Sequence, residues 1–177
     1  MSINYKTTSA VTLQNFIKKL GQNITGVELG VWYGVNMGHL LEECTNIKML
    51  YGIDSYTPYQ DWNRYIDQTV MNNAKANAQS IVDRFKDRSE LLITTSKEAS
   101  TRFYNLDFIF IDGDHSFEVC YEDLNLWYDK VKPGGLFSGH DFSLPGVNKA
   151  LHKFKKERNI NLNFYVIPND VWYWIKD

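Results

Sequence analysis

The apolar positions of the chain alternate between helical and extended patterns. Leu13, Phe16, Ile17 and Leu20 recur at helical spacing and predict an amphipathic helix over residues 9–20, ended by Gly21. A short apolar strand, Gly26 to Leu29, runs into a glycine turn, and the helix after it carries Val35, Leu40, Leu41 and Cys44 on its inner side. Met49 to Ile53 reads as a second strand, stopped at Asp54. Residues 60–87 are polar and rich in Asn, Gln and Lys, a composition that suits one or two exposed helices. Leu91 to Ile93 is a third strand, with Ser96 as the expected N-cap of a short helix after it.

Leu106 to Ile111 (LDFIFI) is a nearly continuous apolar run, the pattern of a strand buried on both faces. Cys120, Leu124, Trp127 and Val131 mark a helix stopped by Pro133-Gly134-Gly135; Leu136-Phe137 opens a fifth strand, and Val147, Ala150, Leu151 and Phe154 mark another helix. Two final β runs, Asn163 to Ile167 and Val171 to Ile175, flank Pro168-Asn169-Asp170, which is a hairpin signal. Strands alternating with helices predict an α/β, Rossmann-like, doubly wound and mostly parallel sheet with a C-terminal antiparallel hairpin. Ligands of such sheets bind at the carboxyl ends of the strands.

Composition narrows the class. The chain's 177 residues fit one domain, with an N-terminal helix within 1–22 and a core over 24–177, and the apolar fraction of 44% is that of a globular protein. A net charge of -2 gives no global reason to expect nucleic acid or an anionic membrane as partner. No apolar run approaches the ~20 residues that span a bilayer, and the polar start MSINYKTTSA lacks a signal-peptide core, so a cytoplasmic protein is expected. Cys44 and Cys120 sit at apolar helix positions and read as buried reduced thiols. The aromatic content of 15% is high and is compatible with a homodimer. It leaves Tyr56, Tyr59, Trp62 and Tyr65 clustered after a strand end, either lining a pocket or packing under a loop.

The strand ends carry the chemistry. After the first strand comes Glu28-Leu29-Gly30-Val31-Trp32-Tyr33-Gly34. Gly30 and Gly34 would let backbone approach a ligand closely, but this is not the GxGxxG dinucleotide fingerprint, and no residue between the glycines is suited to hold a pyrophosphate. Asp54, at the end of the second strand, is placed to accept hydrogen bonds from ribose hydroxyls. Acids without phosphate-binding partners favour a neutral or cationic nucleoside, which sulfonium S-adenosylmethionine satisfies better than NAD does. The fourth strand ends in Asp112-Gly113-Asp114-His115 and the fifth in Gly139-His140-Asp141. Such clusters are costly to desolvate, so stability does not call for them. Divalent metal binding does: Asp112 and Asp141 are the ligand candidates, and His115 is the candidate base for a coordinated hydroxyl.

ELGVWYGVNMGHLLE, YGIDSY, TTSKEAS, LDFIFIDGDHSFE and KPGGLFSGHDF, in that order, resemble the successive motifs of class I S-adenosylmethionine-dependent methyltransferases. More narrowly they resemble the branch of the macrocin and mycinamicin sugar O-methyltransferases and a related cephalosporin-biosynthesis protein. The resemblance covers residues 24 to 155 or so. It implies a seven-stranded sheet whose last strand is antiparallel. It implies Glu28 and Gly30 near the methionine part of the cofactor, Asp54 on the ribose and Thr95 or Ser96 beside the adenine, with Gly34, Ser55 and Asp112 completing the cofactor contacts. It makes Asp112 a metal ligand and His115 the general base. Where metal-dependent relatives carry two adjacent acidic or amide ligands, this chain has His140 and Asp141, and hard Mg²⁺ usually prefers oxygen.

The expected reaction is methyl transfer from S-adenosylmethionine to a hydroxyl of a small acceptor such as a sugar or glycoside, with a divalent metal such as Mg²⁺ as a second component left open. An NAD(P)-dependent oxidoreductase is the rival class, disfavoured by the missing third glycine and the absence of a Tyr-x-x-x-Lys pair. A non-catalytic cofactor-binding protein is the other. Lys153, Lys155, Lys156 and Arg158 read as the solvated face of a late helix rather than a nucleic-acid site.

Overall fold

The computed structural model describes residues 9–61, 64–161 and 163–177. In chain order, α1 (Ser9–Ile17) precedes β1 (Ile24–Leu29), α2 (Val35–Glu43) and β2 (Ile47–Asp54). A small ribbon, β3 (Tyr59–Asp61) and β4 (Arg64–Ile66), leads into α3 (Gln68–Arg84). Then come β5 (Ser89–Ile93), α4 (Ser96–Ser100), β6 (Leu106–Ile111), α5 (Phe117–Tyr128), β7 (Val131–Gly139), α6 (Pro145–Glu157), β8 (Tyr165–Ile167) and β9 (Val171–Ile175).

Seven strands form one sheet in the order β5-β2-β1-β6-β7-β9-β8. The pairs among β5, β2, β1, β6 and β7 are parallel, whereas β9 runs antiparallel to both β7 and β8. The fold expected from the sequence is therefore present, and the hairpin inserts its second strand between β7 and β8. Helices cover both faces. Phe108 and Phe110 of β6 join the core built with α1, α2 and α3, while Ile109 and Ile111 join the one built with α4, α5 and α6. Both faces of β6 are buried, so every residue of the strand had to be apolar or, for Asp107, paired. Asp107 accepts from the Thr25 backbone at 2.8 Å and faces Lys132 Nζ at 2.5 Å.

Cys44 and Cys120 belong to opposite faces of the sheet. Both are free, and burial pushes their thiols up to about 11 and about 12. No helix among the described residues is long and apolar enough to cross a membrane.

Three expectations are corrected. Tyr59–Asp61 and Arg64–Ile66 pair as an antiparallel ribbon rather than helix, and the single helix α3 begins only where the Asp67 side chain accepts the Val70 N–H at 2.9 Å. Thr95, not Ser96, caps α4: its hydroxyl accepts from the Glu98 backbone at 3.2 Å and the Glu98 carboxylate accepts the Thr95 N–H at 3.3 Å, a complete capping box. Finally, α5 ends at Tyr128, and β7 already starts at Val131. Leu106 pairs with Val131 but Phe108 with Leu136, so Pro133-Gly134-Gly135 is a bulge inside the strand rather than a stop before it. Residues 1–8, at the start of the expected N-terminal segment, and Trp62 lie outside the described residues.

Candidate functional site

A cavity of about 550 Å³ opens at the carboxyl ends of β2, β1 and β6, where the chain crosses from one half of the sheet to the other. Its floor is the turn after β1. Gly30 donates its N–H to Ile53 at 2.9 Å, and Asp112 donates its own to Leu29 at 2.9 Å, so the ends of β2, β1 and β6 are knitted together at this point. Gly30 has φ +78, and a Cβ there would stand 2.0 Å from the Asp112 carbonyl oxygen. Only glycine fits so close a crossing of two backbones.

Asp54 locks the turn. Its Oδ2 accepts the Trp32 N–H at 3.0 Å and its Oδ1 the Tyr56 N–H at 2.8 Å, while the Tyr56 hydroxyl donates to the Trp32 carbonyl at 2.9 Å. Trp32 and Tyr56 both have positive φ, 52 and 49, a conformation that the shared carboxylate pays for. Burial raises the Asp54 carboxyl against the pull of these backbone donors. Gly34 has φ 75 at the N-cap of α2, and a Cβ there would meet the Ala78 backbone at 3.0 Å; it serves the approach of α3 and does not line the cavity.

Glu28 lies behind this wall, 1% exposed, accepting from the Asn36 amide at 3.1 Å. Burial, reinforced by the nearby Asp112 and Asp54 charges, pushes its carboxyl up to about 8 in spite of that amide. The fold therefore holds it neutral at pH 7. A raised acid stabilises the fold fully below its unfolded value of 4.5, and that contribution is lost as pH rises through about 8. Glu28→Gln keeps the shape without the charge. The difference in urea stability between variant and wild type is expected to grow in the variant's favour from pH 5 to pH 8; a difference that stays flat with pH would show that Glu28 is ionised in the fold.

At the end of β5, Thr95 and Ser96 face the cavity with their hydroxyls already engaged. Thr95 caps α4, and Ser96 Oγ donates to Asp123 of α5 while accepting from the Trp127 indole at 2.8 Å. Ser55, also on the wall, shares a hydrogen bond with Thr57 at 2.9 Å.

The opposite wall carries the titratable cluster. Single ligand atoms of Asp112, His115 and Asp141 lie within 4.8 Å of one another. His115 Nε2 stands 2.9 Å from Asp141 Oδ2. His140 Nδ1 stands 3.2 Å from Asp141 Oδ2 and 3.5 Å from Asp112 Oδ1. Burial works against charge on His140, but hydrogen bonds and attraction from Asp112 and Asp141 outweigh it and push the imidazole up to about 10. Burial likewise opposes charge on Asp141, and His115 and His140 overcome it, holding the carboxyl well below the usual range. Asp141 has φ 57, a left-handed conformation rare for a residue with a Cβ and often found at functional sites. His140 itself does not line the cavity; its ring lies behind the two carboxylates, which favour its charged form, and a metal between them would compete with that proton.

Of the residues expected from the sequence, Gly30, Asp54, Ser55, Thr95, Ser96, Asp112, His115 and Asp141 line one cavity, while Glu28, Gly34 and His140 stand behind it. Among the aromatic residues, Tyr59 lines the cavity, Tyr56 is buried and Tyr65 is 63% exposed. Sequence reading missed Asp123. Its signal was present, since it falls on the inner stripe of α5 with Cys120, Leu124 and Trp127. Lys153 pairs with Glu157 and Arg158 with Asp129, as befits a solvated helix face.

The chain matches the model of the family described as methyltransferase domain, Methyltransf_24, over residues 27–142. It belongs to that family, among the class I S-adenosylmethionine-dependent methyltransferases. It is similar to the uncharacterized protein R132 of Acanthamoeba polyphaga mimivirus, 28% identical over 160 residues that cover 84% of this chain and 70% of that protein. Among solved structures, its fold is similar to that of CalS11, a calicheamicin methyltransferase, with TM-score 0.74 and 15% identity over 98% of this chain and 80% of that one. It is also similar to the fold of an O-methyltransferase from Bacillus cereus in complex with SAH, with TM-score 0.67 and 13% identity over 98% of this chain and 84% of that one.

Proposed function

We propose that the protein transfers the methyl group of S-adenosylmethionine to a hydroxyl of a small acceptor, a sugar or glycoside being the class favoured by its motifs. One observation carries the reading: Asp112, His115 and Asp141 converge on the wall of the cavity that Gly30 and Asp54 also line. S-adenosylmethionine, when bound, supplies an electrophilic methyl on a sulfonium cation. Asp54 and Asp112 place negative potential about the turn, a field suited to a cation and hostile to a pyrophosphate. The Asp54 oxygens have lone pairs beyond those taken by Trp32 and Tyr56 and accept the ribose hydroxyls. Asp141 orients the His115 ring, which takes the acceptor hydroxyl proton as the oxygen attacks. The likeness in fold to an O-methyltransferase supports a hydroxyl acceptor.

The donor set fits a divalent cation: two carboxylates suit a hard ion, and an imidazole suits a borderline one. Asp112 and Asp141 would hold it, with His140, once deprotonated, as the third ligand and His115 keeping the role of base, and when bound it would lower the pKa of a coordinated hydroxyl. Calorimetric titration with S-adenosylhomocysteine tests the cofactor; no binding, set against tight binding of NAD, overturns the assignment. Thermal melts with Mg²⁺ or Mn²⁺ test the ion. A rise in Tm that EDTA reverses and Asp141→Asn abolishes is expected, and an unchanged Tm at millimolar metal would remove the cation from the mechanism.

A further inference from the structure

The cavity contains a carboxylate that neither the turn nor the titratable cluster uses. Asp123 lies on the inner face of α5, only 5% exposed, yet it lines the cavity. Its Oδ1 accepts the Ser96 hydroxyl, and that hydroxyl oxygen in turn accepts the Trp127 indole N–H at 2.8 Å. The single proton of Ser96 is thereby committed to Asp123, so Ser96 has no donor left for a ligand. Oδ2 lies beside Gly113, 3.8 Å from where a Cβ on that glycine would stand, and takes no hydrogen bond among the described residues. A carboxylate oxygen of a buried residue that borders a cavity and takes no protein donor is an acceptor open to a ligand. Burial accordingly raises this carboxyl to about 6, against the pull of Ser96, with Glu122 and Asp114 adding to the rise.

Strand order says which part of the ligand arrives there. The titratable cluster stands at the ends of β6 and β7, Asp54 at the end of β2, and Thr95 and Ser96 just after β5, beyond β2 in the sheet. A nucleoside whose reactive end lies by the cluster and whose ribose lies on Asp54 must direct its base toward β5. Ser96 and its partner Asp123 meet it there. Adenine, attached through N9, has one exocyclic donor on its edge, the 6-amino group.

We propose that Asp123 Oδ2 accepts a hydrogen bond from the 6-amino group of the cofactor's adenine, making Asp123 the residue that selects this base. The inference rests on the reading of the cavity as an S-adenosylmethionine site. A purely structural Asp123, tying α5 to α4, would show no such selectivity.

The test is calorimetric titration of wild type, Asp123→Leu and Ser96→Ala with S-adenosylhomocysteine and with its 6-deamino purine analogue, which lacks only the amine. Wild type is expected to prefer the adenine compound by roughly tenfold or more, the range of a hydrogen bond to a charged group. Asp123→Leu, of similar size but without an acceptor, is expected to bring the two affinities to within about twofold. Ser96→Ala breaks the tie between the helices yet leaves Oδ2 in place, so it is expected to keep the preference. Parallel loss of both affinities in the two variants, with the preference unchanged, would make Asp123 structural and overturn the proposal. Equal binding of both compounds by wild type would overturn it even if Asp123→Leu failed to fold. Absence of binding by wild type to either compound would instead bring down the cofactor reading on which it stands.

Discussion

His115→Ala is expected to lower kcat by a factor of roughly 10²–10⁴, the usual contribution of a positioned general base. Affinity for S-adenosylhomocysteine is expected to stay within about threefold of wild type, since the base touches the acceptor rather than the nucleoside. The imidazole lies on the cavity wall with Nε2 held 2.9 Å from Asp141, so its removal takes away the proton acceptor and leaves the turn and Asp54 untouched. Added imidazole should restore part of the lost rate, a recovery that a merely unfolded variant could not show. A kcat indistinguishable from wild type would transfer the base role to another group.

The second large effect is structural. Gly30→Ala places a Cβ 2.0 Å from the carbonyl oxygen of Asp112, on a backbone with φ +78. The left-handed conformation alone costs about 1–2 kcal/mol for alanine, and the collision is with main chain, which cannot swing aside as a side chain would. A total loss on the order of 3 kcal/mol or more is expected, seen as a fall in Tm of roughly 6–12 °C. S-adenosylhomocysteine binding should weaken with it, because relief of the clash must separate the ends of β1 and β6, which frame the cavity. Equilibrium unfolding in urea checks the first part and calorimetry the second; a variant as stable as wild type would mean that the crossing is looser than drawn.

Much of this architecture was legible before any coordinate. Leu106–Ile111 is legible as a central strand because helices cover both faces of the sheet and leave Asp107 as its one polar position. Asp54, Asp112, His115 and Asp141 could be gathered on paper because a parallel sheet brings its strand ends to one edge. What stayed hidden depended on short or distant contacts. Tyr59–Asp61 and Arg64–Ile66 are too brief for period-two alternation to show, and the polar composition around them reads as helix. Thr94, Thr95 and Ser96 offer three hydroxyls in a row, and only the spacing to Glu98 picks out Thr95 as the cap. Asp123 is one polar residue among many in the sequence, and only the fold sets its oxygen beside Gly113; the proton on Glu28 follows from burial that no sequence pattern displays.

The insertion of β9 between β7 and β8 also sets an order of events. β8 precedes β9 in the chain, yet among the described residues its only neighbour in the sheet is β9. Tyr165–Ile167 therefore has no ladder to join until Val171–Ile175 has docked against Leu136–Gly139 and brought Trp172 and Trp174 into the interior. Until then the outer edge of β7 stays bare, with unpaired amides and carbonyls open to any strand that passes. Val171–Ile175 is thus the strand that shields this margin of the sheet from mispairing.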